Sequence, residues 1–113
     1  PTCSACTSGS QGIGYGFESI RFGKQKLMIA GGAEEFHVID AAVFDIMFAT
    51  SLRNDAPATT PRPFDADRDG FVMGEGGAVL ILEEWAAAEA RGATILGEIL
   101  GGDPISRKLG IMG

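Results

Sequence analysis

The sequence predicts a layered α/β domain, because stretches with helical spacing alternate with short apolar stretches typical of strands. Apolar residues recur at helical spacing over residues 7–22. Two uninterrupted apolar runs, residues 26–30 and 78–82, are typical of strands. With 113 residues and 45% hydrophobic content, the chain can bury one modest core, so we expect one domain.

The first half of the chain predicts strand, helix, strand and helix in turn. Residues 1–5 are expected to end a strand, and Gly23 stops the helix that follows. The run at 26–30 predicts a strand buried on both faces and ended by the glycines at 31–32. Residues 38–48 predict a second helix. The first helix carries four glycines, which lower its propensity and indicate close packing against another backbone: Gly9, Gly12, Gly14 and Gly16.

The second half opens with a long connection at residues 53–70, rich in Pro, Asp, Asn and Thr. Connections of that length inside a compact domain are often functional. The remaining elements are a strand at 71–73, a strand at 78–82, a helix at 83–91 closed by Gly92, and a last strand at 94–100. The predicted order is therefore β-α-β-α-β-α-β.

The net charge and the cysteine content argue against several classes of function. The net charge of −6 argues against a nucleic-acid partner, since phosphate neutralisation requires clustered Lys and Arg. No apolar run approaches the ~20 residues of a membrane span. Two cysteines three residues apart neither build a disulfide scaffold nor complete a four-ligand zinc site, so we expect reduced thiols in the cytoplasm, no metal and no cofactor. Without an initiating Met or a leader before Pro1, the chain is expected to be an interior piece of a longer protein.

Cys6 is the candidate catalytic residue, because its thiol directly precedes the small, helix-starting run Thr7-Ser8-Gly9. An isolated cysteine keeps its proton up to a pH of ~8.5. Backbone N–H groups and the positive dipole end at a helix N-terminus favour the thiolate, so a cysteine there can ionise near neutral pH without a metal. The sequence therefore predicts an activated nucleophile at Cys6.

Two other patterns suggest different chemistry. Cys3 and Cys6 have the C-x-x-C spacing of a redox pair, although Cys3 also fits a small buried strand residue. The run from Asp65 to Gly70 matches the first half of an EF-hand calcium loop, but Gly76 stands where the loop needs a glutamate. We expect the charges there to form ion pairs and turn hydrogen bonds that fix the loop. These charged residues are Asp65, Arg68, Asp69 and Glu75.

Five short motifs follow one another in a fixed order: Ala5-Cys6-Thr7-Ser8-Gly9, Ala30-Gly31-Gly32-Ala33-Glu34, Arg62-Pro63-Phe64-Asp65, Arg68-Asp69-Gly70-Phe71-Val72 and Gly74-Glu75-Gly76-Gly77. Together they resemble the central part of a β-ketoacyl-acyl-carrier-protein synthase, the condensing enzyme of fatty-acid synthesis. Each motif alone is weak, but their shared order and spacing over residues 1–102 is specific. Phe44-Asp45 and Leu52-Arg53-Asn54-Asp55 favour the bacterial type II elongating synthases over modular polyketide synthases.

The resemblance implies a thiolase-like fold with α/β/α layers, of which residues 1–102 would be part of the N-terminal half. It implies that Cys6 takes an acyl chain from acyl carrier protein as a thioester, and that the Cys6 N–H is one oxyanion-hole donor. Malonyl-acyl carrier protein would then lose carbon dioxide, and the carbanion would attack the thioester in a Claisen condensation. Residues 103–113 depart from the family pattern and receive no role.

The resemblance also assigns roles to other residues. Phe44 matches a phenylalanine that lines the acyl channel and acts as a gate, with plain core packing as the alternative. In the family two His, or His and Asn, polarise the malonyl carbonyl with support from a Lys, all from segments C-terminal to this region. The one histidine, His37, lies where the family has no catalytic histidine and is expected to be a loop or helix-start side chain. We therefore expect these 113 residues alone to be inactive.

The implied partners are acyl carrier protein carrying acyl and malonyl groups, and a second copy of the full-length protein in a homodimer. Acyl carrier protein is acidic, so docking requires a local basic patch, for which Arg53 and Arg62 are the leading candidates. Two alternatives remain open: a non-catalytic scaffold subunit of the same fold, which retention of Cys6 disfavours, and a thiol redox module.

Overall fold

The computed structural model describes residues 2–102 and 109–112, which form two compact units. The first unit comprises the described residues of 1–33 and 77–113, and the second comprises residues 34–76. The helices and strands are α1 (Ser8–Arg21), β1 (Leu27–Glu34), α2 (Val38–Ile46), β2 (Gly76–Glu83), α3 (Trp85–Ala90), β3 (Glu98–Gly102) and β4 (Leu109–Met112), with a 3-10 turn at Pro57–Thr59. The predicted α/β class is confirmed.

In the first unit, α1 packs closely on β1 through its glycines, as predicted. A Cβ on Gly9 would lie 3.5 Å from the Gly32 Cα, and a Cβ on the buried Gly16 would lie 3.6 Å from the Cβ of Ala30. Gly14 has no such neighbour within 4 Å among the described residues. The helix stops just before Gly23, as predicted, and the φ of Gly23, 69°, lies in the left-handed region that glycine favours.

β1 and β2 form a two-stranded antiparallel sheet. Gly31 lies against Ala78 and Val79, Gly77 lies against Ala33, and the N–H of Glu84 donates to the carbonyl of Lys26 at 3.0 Å. Partner numbers fall along β2 as they rise along β1, which defines the antiparallel direction.

Two predictions about β1 are wrong. The glycines at 31–32 do not end the strand, because they lie inside it where the β2 backbone comes too close for a side chain. The strand is also not buried on both faces. Successive side chains of a strand point to opposite faces. Met28 faces the α1 side, whereas Ile29 on the other face is 67% exposed.

Two further predicted strands are also wrong. Residues 2–5 form no strand beyond an isolated bridge from Ser4 to Cys6, and residues 71–73 contribute a single bridge from Phe71 to Thr50. A run of three apolar residues has too few ladder bonds to extend beyond such a bridge. The strand expected at 94–100 begins at Glu98, and its partner β4 lies in the segment to which the sequence assigned no role.

β3 and β4 pair antiparallel, with Ile99 opposite Ile111 and Gly102 opposite Leu109. The register shifts between these two pairs, which marks a bulge or irregularity. The same unit brings α1 into contact with β3. Within the described ranges, no helix is long and apolar enough to cross a membrane.

α3 is shorter than the predicted 83–91, because Glu83 belongs to the end of β2 and Arg91 caps the helix. These two side chains form a two-pronged ion pair, with Arg91 Nη2 2.7 Å from Glu83 Oε2 and Nε 3.0 Å from Oε1. The hydrogen bond from Arg91 lowers the pKa of Glu83, and the same bond raises the pKa of Arg91. The pair therefore fastens the end of β2 to the end of α3.

Candidate functional site

Cys6 lies in a tight turn immediately before α1, and its thiol is free and exposed. The preceding residue, Ala5, has a φ of 48°, a left-handed conformation that is unfavourable for a residue with a Cβ. Thr7 N–H donates to the Ser4 carbonyl and Ser8 N–H donates to the Ala5 carbonyl, both at 3.1 Å. These two successive turns reverse the chain into the helix and leave the thiol on the outside.

Hydroxyl groups brace this turn from both sides of Cys6. Ser8 Oγ accepts a hydrogen bond from the Ser4 N–H and donates one to the Ala5 carbonyl, each at 2.8 Å. Thr7 Oγ1 donates to the Ser4 carbonyl at 2.8 Å, and Thr2 Oγ1 donates to the Ser8 carbonyl at 3.0 Å. Sequence reasoning did not single out these hydroxyls. The Thr-Ser pair directly after Cys6 was the available signal, because such residues bond to nearby backbone at helix starts.

Three backbone N–H groups close to Cys6 in the sequence are without a hydrogen-bond partner among residues 2–102. Within residues 2–102, none of the hydrogen bonds uses the N–H of Cys6, Gly9 or Ser10. The first N–H groups of a helix lack partners inside the helix, and together they favour negative charge nearby. The turn therefore presents an exposed thiol near N–H groups that the described residues leave unused, an arrangement suited to an oxyanion formed next to the thiol.

Phe44 lies in the second unit, on the last turns of α2. Its half-buried ring packs edge-to-face against Phe71, with ring centroids 5.9 Å apart and an interplanar angle of 71°. This contact gives Phe44 a packing role inside that unit.

The second unit is closed where residues 49–51 meet residues 69–71. Phe71 N–H donates to the Ala49 carbonyl and Ser51 N–H donates to the Phe71 carbonyl, both at 2.8 Å. Gly70 permits this approach, because a Cβ there would lie 2.6 Å from the Ser51 nitrogen, and its φ is 145°. A shallow cavity of about 280 Å³ beside this junction is lined by Arg53, Thr60 and other residues of the same unit.

One carboxylate takes part in this closure. Ser51 Oγ donates to Asp69 Oδ2 at 2.7 Å. This hydrogen bond, with a smaller contribution from the charge of Arg53, lowers the pKa of Asp69 despite some opposing desolvation.

Replacing Ser51 with alanine is expected to raise the pKa of Asp69 towards its usual value. Because the folded-state pKa is lowered, the contribution of Asp69 to stability is present above its unfolded pKa of ~3.9 and is lost as the pH falls through the folded value. An NMR titration of the Asp69 carboxyl measures this shift. Thr50→Val is the matched control, since the Thr50 hydroxyl bonds Asp45 instead. An Asp69 titration that the two variants alter equally would contradict the assignment.

A comparison with protein families identifies the chain. Residues 2–88 match the model described as "Beta-ketoacyl synthase, N-terminal domain". The chain belongs to the β-ketoacyl synthase family. The matched range includes both Cys6 and Phe44.

Solved and curated β-ketoacyl synthases agree with this assignment. A crystal structure of a β-ketoacyl synthase from Burkholderia phymatum STM815 is 64% identical, with a TM-score of 0.85, over 89% of this chain and 25% of that one. The 3-oxoacyl-[acyl-carrier-protein] synthase 2 of Synechocystis is 50% identical over 88% of this chain and 24% of its own. A type II polyketide acyl-carrier protein in complex with its ketosynthase bound to the hexaketide contains a chain 37% identical, with a TM-score of 0.73, over 83% of this chain and 24% of that one.

The β-ketoacyl synthase resemblance and the partial thiolase-like fold are therefore confirmed. The chain spans about a quarter of the length of these relatives. Their names include both 3-oxoacyl-acyl-carrier-protein synthases and a type II polyketide ketosynthase, so the family assignment covers both kinds of condensing enzyme.

His37 in this β-ketoacyl synthase segment has the helix-start position that the sequence predicted. Its Nδ1 accepts a hydrogen bond from the Ile39 N–H at 3.2 Å and caps α2. A cap of this kind satisfies one of the free N–H groups of the first turn.

The charged residues from Asp65 to Glu75 were predicted to form both ion pairs and turn hydrogen bonds, and only the hydrogen bonds are confirmed. Turn hydrogen bonds are present: Asp65 Oδ1 accepts from the Asp67 N–H at 2.8 Å, and Glu75 Oε2 accepts from the Phe36 N–H at 3.2 Å. The expected ion pairs are not found among the described residues, and Arg68 donates to the backbone carbonyl of Asp65 instead. Across the described part of the chain, no group of three or more His, Cys, Asp or Glu side chains is arranged to hold a metal ion.

Proposed function

We propose that this chain is a segment of a 3-oxoacyl-acyl-carrier-protein synthase, an acyltransferase, in which Cys6 carries the acyl group as a thioester. One observation carries the proposal. In a chain of the β-ketoacyl synthase family, the Cys6 thiol is exposed on a strained turn at the start of α1, and the described residues leave the Cys6 N–H unused. A nucleophile needs access, and the tetrahedral intermediate of acyl transfer needs hydrogen-bond donors.

The proposed reaction has two steps. The Cys6 thiolate attacks the carbonyl of an acyl-acyl carrier protein and expels the carrier thiolate, which takes a proton from solvent. Malonyl-acyl carrier protein then loses carbon dioxide, and the electron pair of the broken bond remains on the α-carbon. That carbon attacks the Cys6 thioester, forms the new carbon–carbon bond and expels the Cys6 thiolate. The product is 3-oxoacyl-acyl carrier protein, and splitting the reaction makes both steps easier.

We propose that residues 1–102 are part of the thiolase-like domain and that the reaction requires segments beyond these 113 residues. Exposed apolar surface supports this. On the β-sheet face away from α1, Val79 and Ile81 are each 68% exposed, and on α2 Val38 and Ile46 are 71% and 77% exposed. Apolar faces of this kind are normally covered by other parts of a protein. The segment alone is therefore proposed to be inactive.

Acyl carrier protein bearing acyl and malonyl groups is the proposed partner, and the full-length protein is proposed to be a cytoplasmic homodimer. The similarity to a ketosynthase solved in complex with an acyl-carrier protein supports this partner. For docking, Arg53 is the better candidate of the two predicted arginines. Arg62 already donates from Nη2 to the Asp67 carbonyl at 2.6 Å within its own loop.

Fatty-acid synthesis is the proposed pathway, and polyketide synthesis is the second candidate because a type II polyketide ketosynthase is among the similar structures. Phe44 is proposed to line the acyl channel. Its edge-to-face contact with Phe71 would then set the ring position from which it acts as a gate.

The proposal is tested by incubating the full-length synthase that carries this segment with hexanoyl-acyl carrier protein and malonyl-acyl carrier protein. We expect one 3-oxooctanoyl product and one carbon dioxide for each malonyl group consumed. Repeated condensation without reduction of the 3-oxo group would assign the enzyme to polyketide synthesis. No product, with no loss of malonyl groups, would contradict the proposal and favour a scaffold subunit.

A further inference from the structure

Ser8 controls the orientation of one particular peptide unit in the Cys6 turn. The Ala5 carbonyl accepts two hydrogen bonds from Ser8, one from Oγ at 2.8 Å and one from the N–H at 3.1 Å. That carbonyl belongs to the same planar unit as the Cys6 N–H, and in a trans peptide the two groups point in opposite directions. Fixing the carbonyl therefore fixes the direction of the Cys6 N–H.

The hydroxyl of Ser8 also holds the chain just before the strained residue. Ser8 Oγ accepts from the Ser4 N–H at 2.8 Å, so one oxygen bonds both the peptide unit that precedes Ser4 and the unit between Ala5 and Cys6. Ala5 has a φ of 48° and lacks the short polar side chain with which Asn or Asp stabilise that conformation locally. The Ser8 side chain supplies this stabilisation from three residues away, through its bond to the Ala5 carbonyl. Thr7, by contrast, bonds the Ser4 carbonyl, one peptide unit farther from Cys6.

We infer that Ser8 is a positioning residue that aims the Cys6 N–H at the oxygen of the acyl thioester. The inference rests on the proposed acyl transfer to Cys6 and adds a residue to it. The Cys6 N–H is unused by the described residues, as an oxyanion-hole donor must be. Ser8 is itself half-buried and touches no reacting atom in this arrangement, so it acts through the peptide that it holds.

The test compares two reactions of Cys6 that differ in their need for an oxyanion donor. Acyl transfer from hexanoyl-acyl carrier protein passes through a tetrahedral oxyanion, whereas alkylation by iodoacetamide displaces iodide and forms none. Both rates are measured on the full-length synthase by mass spectrometry of the Cys6 peptide, in a Cys3→Ser background. A loss of thiol access or of the fold would slow both reactions, but misdirection of the N–H slows acyl transfer alone.

We expect Ser8→Ala to slow acylation about tenfold and to leave the alkylation rate within about twofold of the parent. The loss is smaller than for removing an oxyanion donor, about 10²-fold or more, because the Ser8 N–H still holds the Ala5 carbonyl. Ser8→Thr keeps the hydroxyl and should recover most of the rate. Ser19→Ala, the same change farther along α1, should change neither rate.

Three results would overturn the inference. These are unchanged acylation in Ser8→Ala, a parallel fall of both rates, or no recovery in Ser8→Thr, which would assign the loss to side-chain shape. A parent enzyme that is alkylated but never acylated would overturn the proposed function as well. The two failures are therefore distinguishable.

Discussion

Replacing Gly31 with alanine is expected to destabilise the folded protein by about 3 kcal/mol or more. A Cβ at this position would overlap the Ala78 carbonyl oxygen and lie 2.8 Å from the Val79 Cα. Both are backbone atoms of the paired strand, which cannot rotate away as a side chain can. Accommodating the methyl group requires β1 and β2 to separate, which breaks hydrogen bonds along the sheet.

The measurement is the free energy of unfolding of the full-length protein from urea titration. Gly14→Ala is the matched control, because a Cβ there meets nothing within 4 Å among the described residues. In the middle of α1 that change should stabilise by about 0.5–1 kcal/mol, since alanine is the better helix former. Equal effects of the two substitutions would contradict the packing described for β1.

The behaviour of these glycines shows what sequence alone could predict about the fold. Spacing located α1, α2 and β2 to within a few residues, because each depends on local periodicity. The glycines of α1 also indicated close backbone packing correctly. The pair at 31–32 was misjudged, because a glycine that ends a strand and one required by a neighbouring strand have the same sequence signature. Only the position of β2 distinguishes them.

Replacing Cys6 with alanine is expected to reduce formation of 3-oxoacyl-acyl carrier protein by the full-length enzyme about 10⁴-fold or more. Without the thiol no acyl-enzyme forms, because the thiolate is the attacking group. The neighbouring hydroxyls of Thr7 and Ser8 are engaged with backbone carbonyls. The assay is product formation from acyl and malonyl groups on acyl carrier protein.

Cys3→Ala is the matched control, since Cys3 is the same residue type, is also free and exposed, and lies three residues from Cys6. Condensation should continue in this variant. Equal loss of activity in both variants would mean that the two thiols act as a pair. That result would contradict the assignment of Cys6 as the nucleophile and would favour the redox interpretation of the C-x-x-C spacing.

The candidate site was only partly readable from sequence. Cys6 stood out because a thiol before a helix start has a recognisable chemical environment. The left-handed conformation of Ala5 could not be predicted, because alanine does not favour that conformation and the stabilising hydroxyls come from other residues. The same holds for the link between Ser51 and Asp69, which are 18 residues apart and meet only because the chain closes near Gly70.

Intact-mass spectrometry of the full-length protein after incubation with acyl-acyl carrier protein alone tests the central claim most directly. With malonyl groups absent, the thioester has no partner for condensation and should accumulate. We expect a mass increase of one acyl group in the parent, located at Cys6 by peptide analysis and absent from Cys6→Ala. No adduct on the parent, or an adduct that persists in Cys6→Ala, would contradict the assignment of Cys6 as the acyl-accepting nucleophile.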